Sequence, residues 1–137
     1  MTEEKFFTIF PTGPKNDAYA KYFVGQSYLN MLSFDQVVIG NVTFEPGCRN
    51  NWHIHHADKG GGQILLVTGG RGYYQEWGKP ARELHAGDVV KIPAGVKHWH
   101  GAAPTSWFAH LAIEVPGENT KSEWCEPVDA EEYNKLK

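Results

Sequence analysis

The sequence predicts an all-β fold, a sandwich or barrel of short strands, and three observations carry that expectation. Gly (15) and Pro (8) are scattered along the 137 residues, which is how turns punctuate many short strands. Turn signals recur about every eight to twelve residues, the spacing of sandwiches and barrels. The alternation of strands with long helical patterns that marks a parallel sheet is absent.

Taken in order, "FPTGPKNDAY" is turn-rich and reads as part of an irregular N-terminal arm, about 1–20. "KYFVGQSYLNML" is aromatic and reads as an edge strand. "QVVIGNVTF" is a strand stopped by "EPG", and "QILLVTG" a strand followed by a turn at "TGGRG". "YYQEW" and "ARELH" form a hairpin around "GKP". "GDVVKIPAG" reads as turn, strand, turn; "HWHG" as a short strand; "SWFAHLAIEV" as a longer one. The tail, about 129–137, is the one good helix pattern, with Asp129 as N-cap and Glu132 three residues on as a capping box.

The length fits a single domain, 1–137, large enough to bury a core without disulfides. A net charge of -3 gives no electrostatic case for nucleic acid. No apolar run approaches the ~20 residues that span a bilayer. The start "MTEEKFF" lacks the basic and apolar regions of a signal peptide, so the expected location is cytoplasmic. Cys48 and Cys125 match no zinc-knuckle spacing and are expected as free thiols.

The chemistry concentrates in histidines. In a strand, alternate side chains share a face. His53 and His55 therefore point the same way, roughly 7 Å apart along the strand, and His98 and His100 repeat the arrangement around Trp99. Two such strands brought together place three or four imidazoles around one point, which suits Zn, Mn, Fe, Ni or Cu. His56 falls out of phase and, like His85 before "AGD", is expected at the surface. His110 shares a face with Ala112 and Glu114, as if lining a cavity.

These residues resemble the cupin family. "GCRNNWHIH", Gly47 to His55, has the Gly-x5-His-x-His form of the first cupin motif, and Gln63 to Gly70 its second half, where glutamate is usual. "GDVVKIPAGVKH" has the Gly-x5-Pro-x-Gly-x2-His form of the second motif. The motif core spans about 47–102. "VTFEPG", "HWHGAAPT" and "HLAIE" resemble one subgroup, the small single-domain cupins similar to the manganese-dependent cupin hydroxynitrile lyase, whose relatives are often labelled carboxymuconolactone-decarboxylase-associated. The resemblance implies a double-stranded β-helix, or jelly-roll barrel, to which the irregular N-terminal arm and the short C-terminal helix are added. It implies one divalent transition metal held by His53, His55, Gln63 and His98. It also implies His110 near the metal as general base, and His100, Gly40, Val42, Ala112 and Glu114 around the cavity. A homodimer or homotetramer is the implied assembly, and a small polar organic molecule the implied partner.

Two departures matter. The gap from His55 to Gln63 is lengthened by "HADKGGG", expected to form a flexible lip, and Ala102 replaces a terminal asparagine. A neutral Gln63 leaves the ion its full charge, so it should be more electrophilic and more weakly held. The amide oxygen is a hard donor and suits Mn(II) or Fe(II) better than Cu(I); Mn(II) is the favoured ion, with Fe(II), Ni(II) and Zn(II) as alternatives. The expected activity is lyase, isomerase or decarboxylase chemistry, with cyanohydrin cleavage as the concrete case. An Fe(II) dioxygenase and a non-catalytic metabolite-binding protein are the competing readings.

Overall fold

The structure, a computed structural model, describes Phe6 and residues 8–137. The expected N-terminal arm lies partly outside the described residues. Its described part is irregular to Asn16, but its last residues are not: Asp17–Tyr22 form a 3₁₀ helix.

The strands follow as β1 (Phe23–Val24), β2 (Ser27–Ser33), β3 (Ile39–Phe44), β4 (Arg49–Asn50), β5 (His53–His56), β6 (Lys59–Gly60) and β7 (Gln63–Glu76). After them come β8 (Arg82–His85), β9 (Val89–Ile92), β10 (His98–Ala102), β11 (Phe108–Glu114), β12 (Gly117–Glu118) and β13 (Lys121–Trp124). All named strand pairs are antiparallel. One face of the barrel runs β2-β3-β11-β7-β9. The other runs β8-β7-β10 and continues through β4 to β1 and through β5 to β13. "KYFVGQSYLNML", expected as one edge strand, is broken in two: β1 pairs with β4 and β2 with β3. The two lie at opposite ends of the strand order, so the edge expectation holds but the single strand does not.

β7 belongs to both faces, and here the structure corrects the sequence reading. "TGGRG" is not a turn but a corner within one 14-residue strand. Gln63–Gly70 pair with β11, and Gly72–Glu76 with β10. The register slips at Thr68, where Ala109 opposes Gly69 and His110 opposes Val67; such a bulge bends a strand and sharpens its twist. Gly70 has φ +74°, and a Cβ there would strike the Trp107 carbonyl, so the corner needs glycine.

The inner core packs Phe44, Leu65, Val67, Tyr74, Leu84, Val90, Ile92 and Phe108 between the two faces. Each such large apolar side chain stabilises the fold by about 1.5–3 kcal/mol when buried. Cys48 is a free thiol inside this core, its pKa pushed up to about 12 mainly by burial. A second cluster, with Trp52, Tyr73, Trp99, Val128 and Tyr133, lies outside the barrel wall. The helix α1 (Ala130–Asn134) covers it, Tyr133 packing edge-on to Trp99 and donating its hydroxyl to the Ala102 carbonyl at 2.6 Å.

Asp129 caps α1 by accepting the Glu131 amide at 2.8 Å. The expected capping box is only half formed. Glu132 turns outward to Lys135 Nζ at 3.0 Å instead of back to the cap.

Candidate metal centre

β5 and β10 run antiparallel with His53 opposite His98. Their pleat sends His53, His55, His98 and His100 inward, as alternation requires. One ligand atom from each of His53, His55 and His98 falls within 4.8 Å of the other two. All three residues are buried. Burial is the main force holding the pKa of each below the ordinary histidine range, to about 4 for His98, so the rings are neutral.

The donor atoms fit a divalent ion. His53 Nδ1 lies 2.8 Å from the Asn51 carbonyl and His98 Nδ1 2.9 Å from the Val96 carbonyl. A carbonyl only accepts, so each Nδ1 carries the proton and each Nε2 presents a lone pair. The Nε2 atoms of His55 and His98, and Gln63 Oε1, are buried without a hydrogen-bond partner. Unpaired buried acceptors are costly, and a cation held among the three rings would satisfy the two imidazole nitrogens.

Gln63 opens β7 directly opposite Glu114 at the end of β11. Its Nε2 donates to Glu114 Oε2 at 2.5 Å. The carboxylate whose absence from position 63 implied an uncompensated charge is thus present on the neighbouring strand, one hydrogen bond away.

Beside the cluster lies a cavity of about 340 Å³. Of the residues expected around it, Gly40, Val42, His100, Ala112 and Glu114 all line it, with His53, His55 and Gln63. Gly40 keeps this wall thin, since a Cβ would come within 3.1 Å of Leu29 Cδ1 and 3.3 Å of Met31 Sδ. His110 is placed differently from the sequence expectation. It has no face on the cavity and is fully buried behind His100, its Nε2 3.0 Å from His100 Nδ1. Burial pushes its pKa down to about 3, and holds His100 well below its ordinary value.

Sequence reasoning missed β13. It pairs with β5 so that Trp124 opposes His53 and Ser122 opposes His55. Trp124 stacks on His53 at 4.6 Å and carries Tyr22 on its other side at 4.5 Å. Ser122 Oγ stands 3.4 Å from His55 Nδ1. The alternation of Ser122 and Trp124 in "KSEW" was the available signal, but four residues between turns are a weak one. Asn50, whose Oδ1 accepts the His100 amide at 3.0 Å, was also missed.

The glycine-rich run after His56 is not a loose lip. β6 pairs with β12, Asp58 N donates to the Glu118 carbonyl at 2.8 Å, and Asn119 Nδ2 donates to Asp58 Oδ2 at 2.6 Å. Gly60, Gly61 and Gly62 take φ of 60°, 77° and 90°, so the glycines serve a tight path that delivers Gln63 to the barrel wall. His56 is half-exposed and pairs with Glu123 at 2.8 Å; His85 is exposed beside Glu83.

The fold and this constellation define a class. A family model described as Cupin domain matches residues 40–111, and the chain belongs to the cupin family. It is similar to an (R)-mandelonitrile lyase of Granulicella tundricola, 46% identical over 95 residues that cover 69% of this chain and 70% of that one. Among solved structures, a cupin-like protein from Thermotoga maritima superposes with a TM-score of 0.80 at 42% identity, covering 93% of this chain and 96% of that one. A Klebsiella pneumoniae protein with a double-stranded β-helix domain, 21% identical with a TM-score of 0.62, covers 90% and 99% and shares the fold.

Proposed function

We propose that this protein is a metal-dependent carbon–carbon lyase that cleaves cyanohydrins with an apolar body. The observation that carries the reading is the cluster of three neutral imidazoles and the unpaired Gln63 amide oxygen beside a cavity that Tyr19, Phe23, Leu29, Met31, Val38 and Trp124 line together with the polar Asn16, Asn50 and Ser122. The mandelonitrile lyase relative supports it. A divalent ion held by His53, His55, His98 and Gln63 supplies Lewis acidity toward a substrate oxygen or nitrile. The hard amide oxygen favours Mn(II).

The protein's own groups do the rest. The apolar side chains take the organic body of the substrate and exclude water around it. His100 faces the cavity, and its low pKa keeps it neutral, so it is the base that accepts the hydroxyl proton. As the O–H bond breaks, the oxygen's electron pair forms the carbonyl and the carbon–carbon bond breaks. Cyanide leaves with the bonding pair and takes the proton back from His100 as hydrogen cyanide. His110 contacts no substrate. Its hydrogen bond to His100 Nδ1 fixes the ring, and Asn50 Nδ2 lies 3.4 Å from each of the two ring nitrogens.

The test is metal analysis of the purified protein, then release of benzaldehyde from mandelonitrile by the Mn(II), Fe(II), Ni(II) and Zn(II) forms. Release that falls about 100-fold or more in His100→Ala, at unchanged metal content, is the expected result. A fully loaded protein that releases no aldehyde from a panel of aromatic and aliphatic cyanohydrins would sink the reading.

A further inference from the structure

A glutamine is an ambiguous ligand. Its side chain ends in one acceptor and one two-proton donor on the same carbon, and a half-turn exchanges them. If Gln63 turned its Nε2 toward the imidazoles, it would present N–H groups to a cation and offer no donor pair. Something must hold the amide the right way round.

Glu114 stands where that restraint is needed. It is the residue directly opposite Gln63 in the β7–β11 ladder. Its Oε2 receives Gln63 Nε2 at 2.5 Å. A carboxylate only accepts, so it bonds the amide nitrogen and repels the amide oxygen. Gln63 Oε1 is thereby left buried and unpartnered. The second carboxylate oxygen, Oε1, lies 4.0 Å from His55 Nδ1. Glu114 is not a member of the tight ligand cluster. It thus touches one proposed donor residue and neighbours another without being a donor itself.

Both backbones are pinned. The Glu114 amide donates to the Val38 carbonyl at 3.0 Å, and the Val115 amide to the Gly62 carbonyl at 3.1 Å. The pair is therefore fixed by the barrel frame rather than by the reach of two free side chains.

We infer that Glu114 is the positioning residue of the metal centre: it locks the Gln63 amide with its oxygen toward His53, His55 and His98, and so sets how tightly a divalent cation is held. The inference rests on the metal centre of the proposed function. It also revises the consequence of a neutral ligand. A donor hydrogen bond to a carboxylate draws negative charge onto the amide, which makes its oxygen a better ligand. The charge that most cupins place on the metal is here placed behind it.

Two substitutions separate orientation from charge. In Glu114→Gln the introduced amide oxygen can still accept Gln63 Nε2, so the lock survives without the charge. In Glu114→Ala both are gone. Mn(II) affinity, measured by competition with a chelating dye, should fall about 10–100-fold in Glu114→Ala, and Glu114→Gln should recover most of that loss. The electron paramagnetic resonance spectrum of bound Mn(II) should change in Glu114→Ala and resemble the native spectrum in Glu114→Gln. The exchanged pair Gln63→Glu/Glu114→Gln, which reverses the hydrogen bond, should bind at least as tightly as the native protein. Glu114 is half-exposed, and thermal melts establish that the variants fold. Native affinity and an unchanged spectrum in folded Glu114→Ala overturn the inference while leaving the centre standing. Failure of the native protein to bind any divalent ion more tightly than His98→Ala overturns both.

Discussion

β10 carries two opposite environments on its two faces. His98 and His100 point into the barrel and Trp99 points out, and all three are almost wholly shielded from solvent. The outward side is complete. Trp99 Nε1 donates to Gln75 Oε1 at 2.8 Å, and its ring meets Tyr133 at 5.9 Å. The inward side is not, because His98 Nε2 has no partner. Burial is equal, and what separates the faces is whether the polar atoms are satisfied. A core is built to leave nothing unpaired; a binding centre is built to leave selected lone pairs for its ligand.

Exchanging damage between the faces gives the largest expected effects. Trp99→Ala should cost about 3–5 kcal/mol of folding stability by urea denaturation, with metal content per folded chain unchanged. His98→Ala should do the reverse. It should abolish stoichiometric metal binding after dialysis, while the metal-free protein melts near the native temperature, because a smaller side chain relieves an unpaired buried acceptor. If Trp99→Ala empties the centre, or His98→Ala unfolds the protein, the division between the faces is wrong.

The same contrast explains what could be read from the chain beforehand. The His-x-His pairs were legible because a strand's period of two carries straight into space, and the two cupin motifs fixed which strands meet. The corner in β7 was not legible. "TGGRG" has the composition of a turn, and only the facing Trp107–Phe108 backbone shows that its glycines allow close packing within a continuing strand. The position of His110 was half legible. Alternation put it on the inner face, but it could not reveal that His100 stands between it and the cavity. β13 and the Gln63–Glu114 lock depend on pairings between segments distant in sequence, which local pattern does not encode.

A pH titration sharpens the comparison at a smaller scale. Burial lowers the folded-state pKa of His98 from 6.5 to about 4. Between those values the unfolded chain binds the proton and the folded chain does not, so stability rises with pH through this window and is lost as pH falls from about 6.5 toward 4. Above it, this contribution is flat. Each such histidine contributes a slope of about 1.4 kcal/mol per pH unit. Urea melts of metal-stripped protein at pH 7, 6 and 5 should show the decline, and His98→Asn should make it shallower. Trp99 packs with Trp52, Tyr73 and Tyr133 on the outer side, so Trp99→Ala should lower the whole curve without changing its shape. A native curve already flat from pH 7 to 5 would mean that the inward rings are hydrated and protonatable in the folded protein.

The smallest effect belongs to the cover of the outer face. α1 is only five residues long, too short to persist by its own hydrogen bonds. It stays helical because Tyr133 is buried on the barrel wall and because Asp129 satisfies the Glu131 amide. Losing a cap of this kind costs about 0.5–2 kcal/mol, so Asp129→Ala should lower the thermal midpoint by a few degrees and leave Mn(II) affinity at its native value. Asp129→Asn should recover most of the stability, since the amide oxygen can cap in the same way. A change in metal affinity in Asp129→Ala would show that the helix communicates through Trp99 to the histidines behind it, and the two faces of β10 would then be one coupled unit.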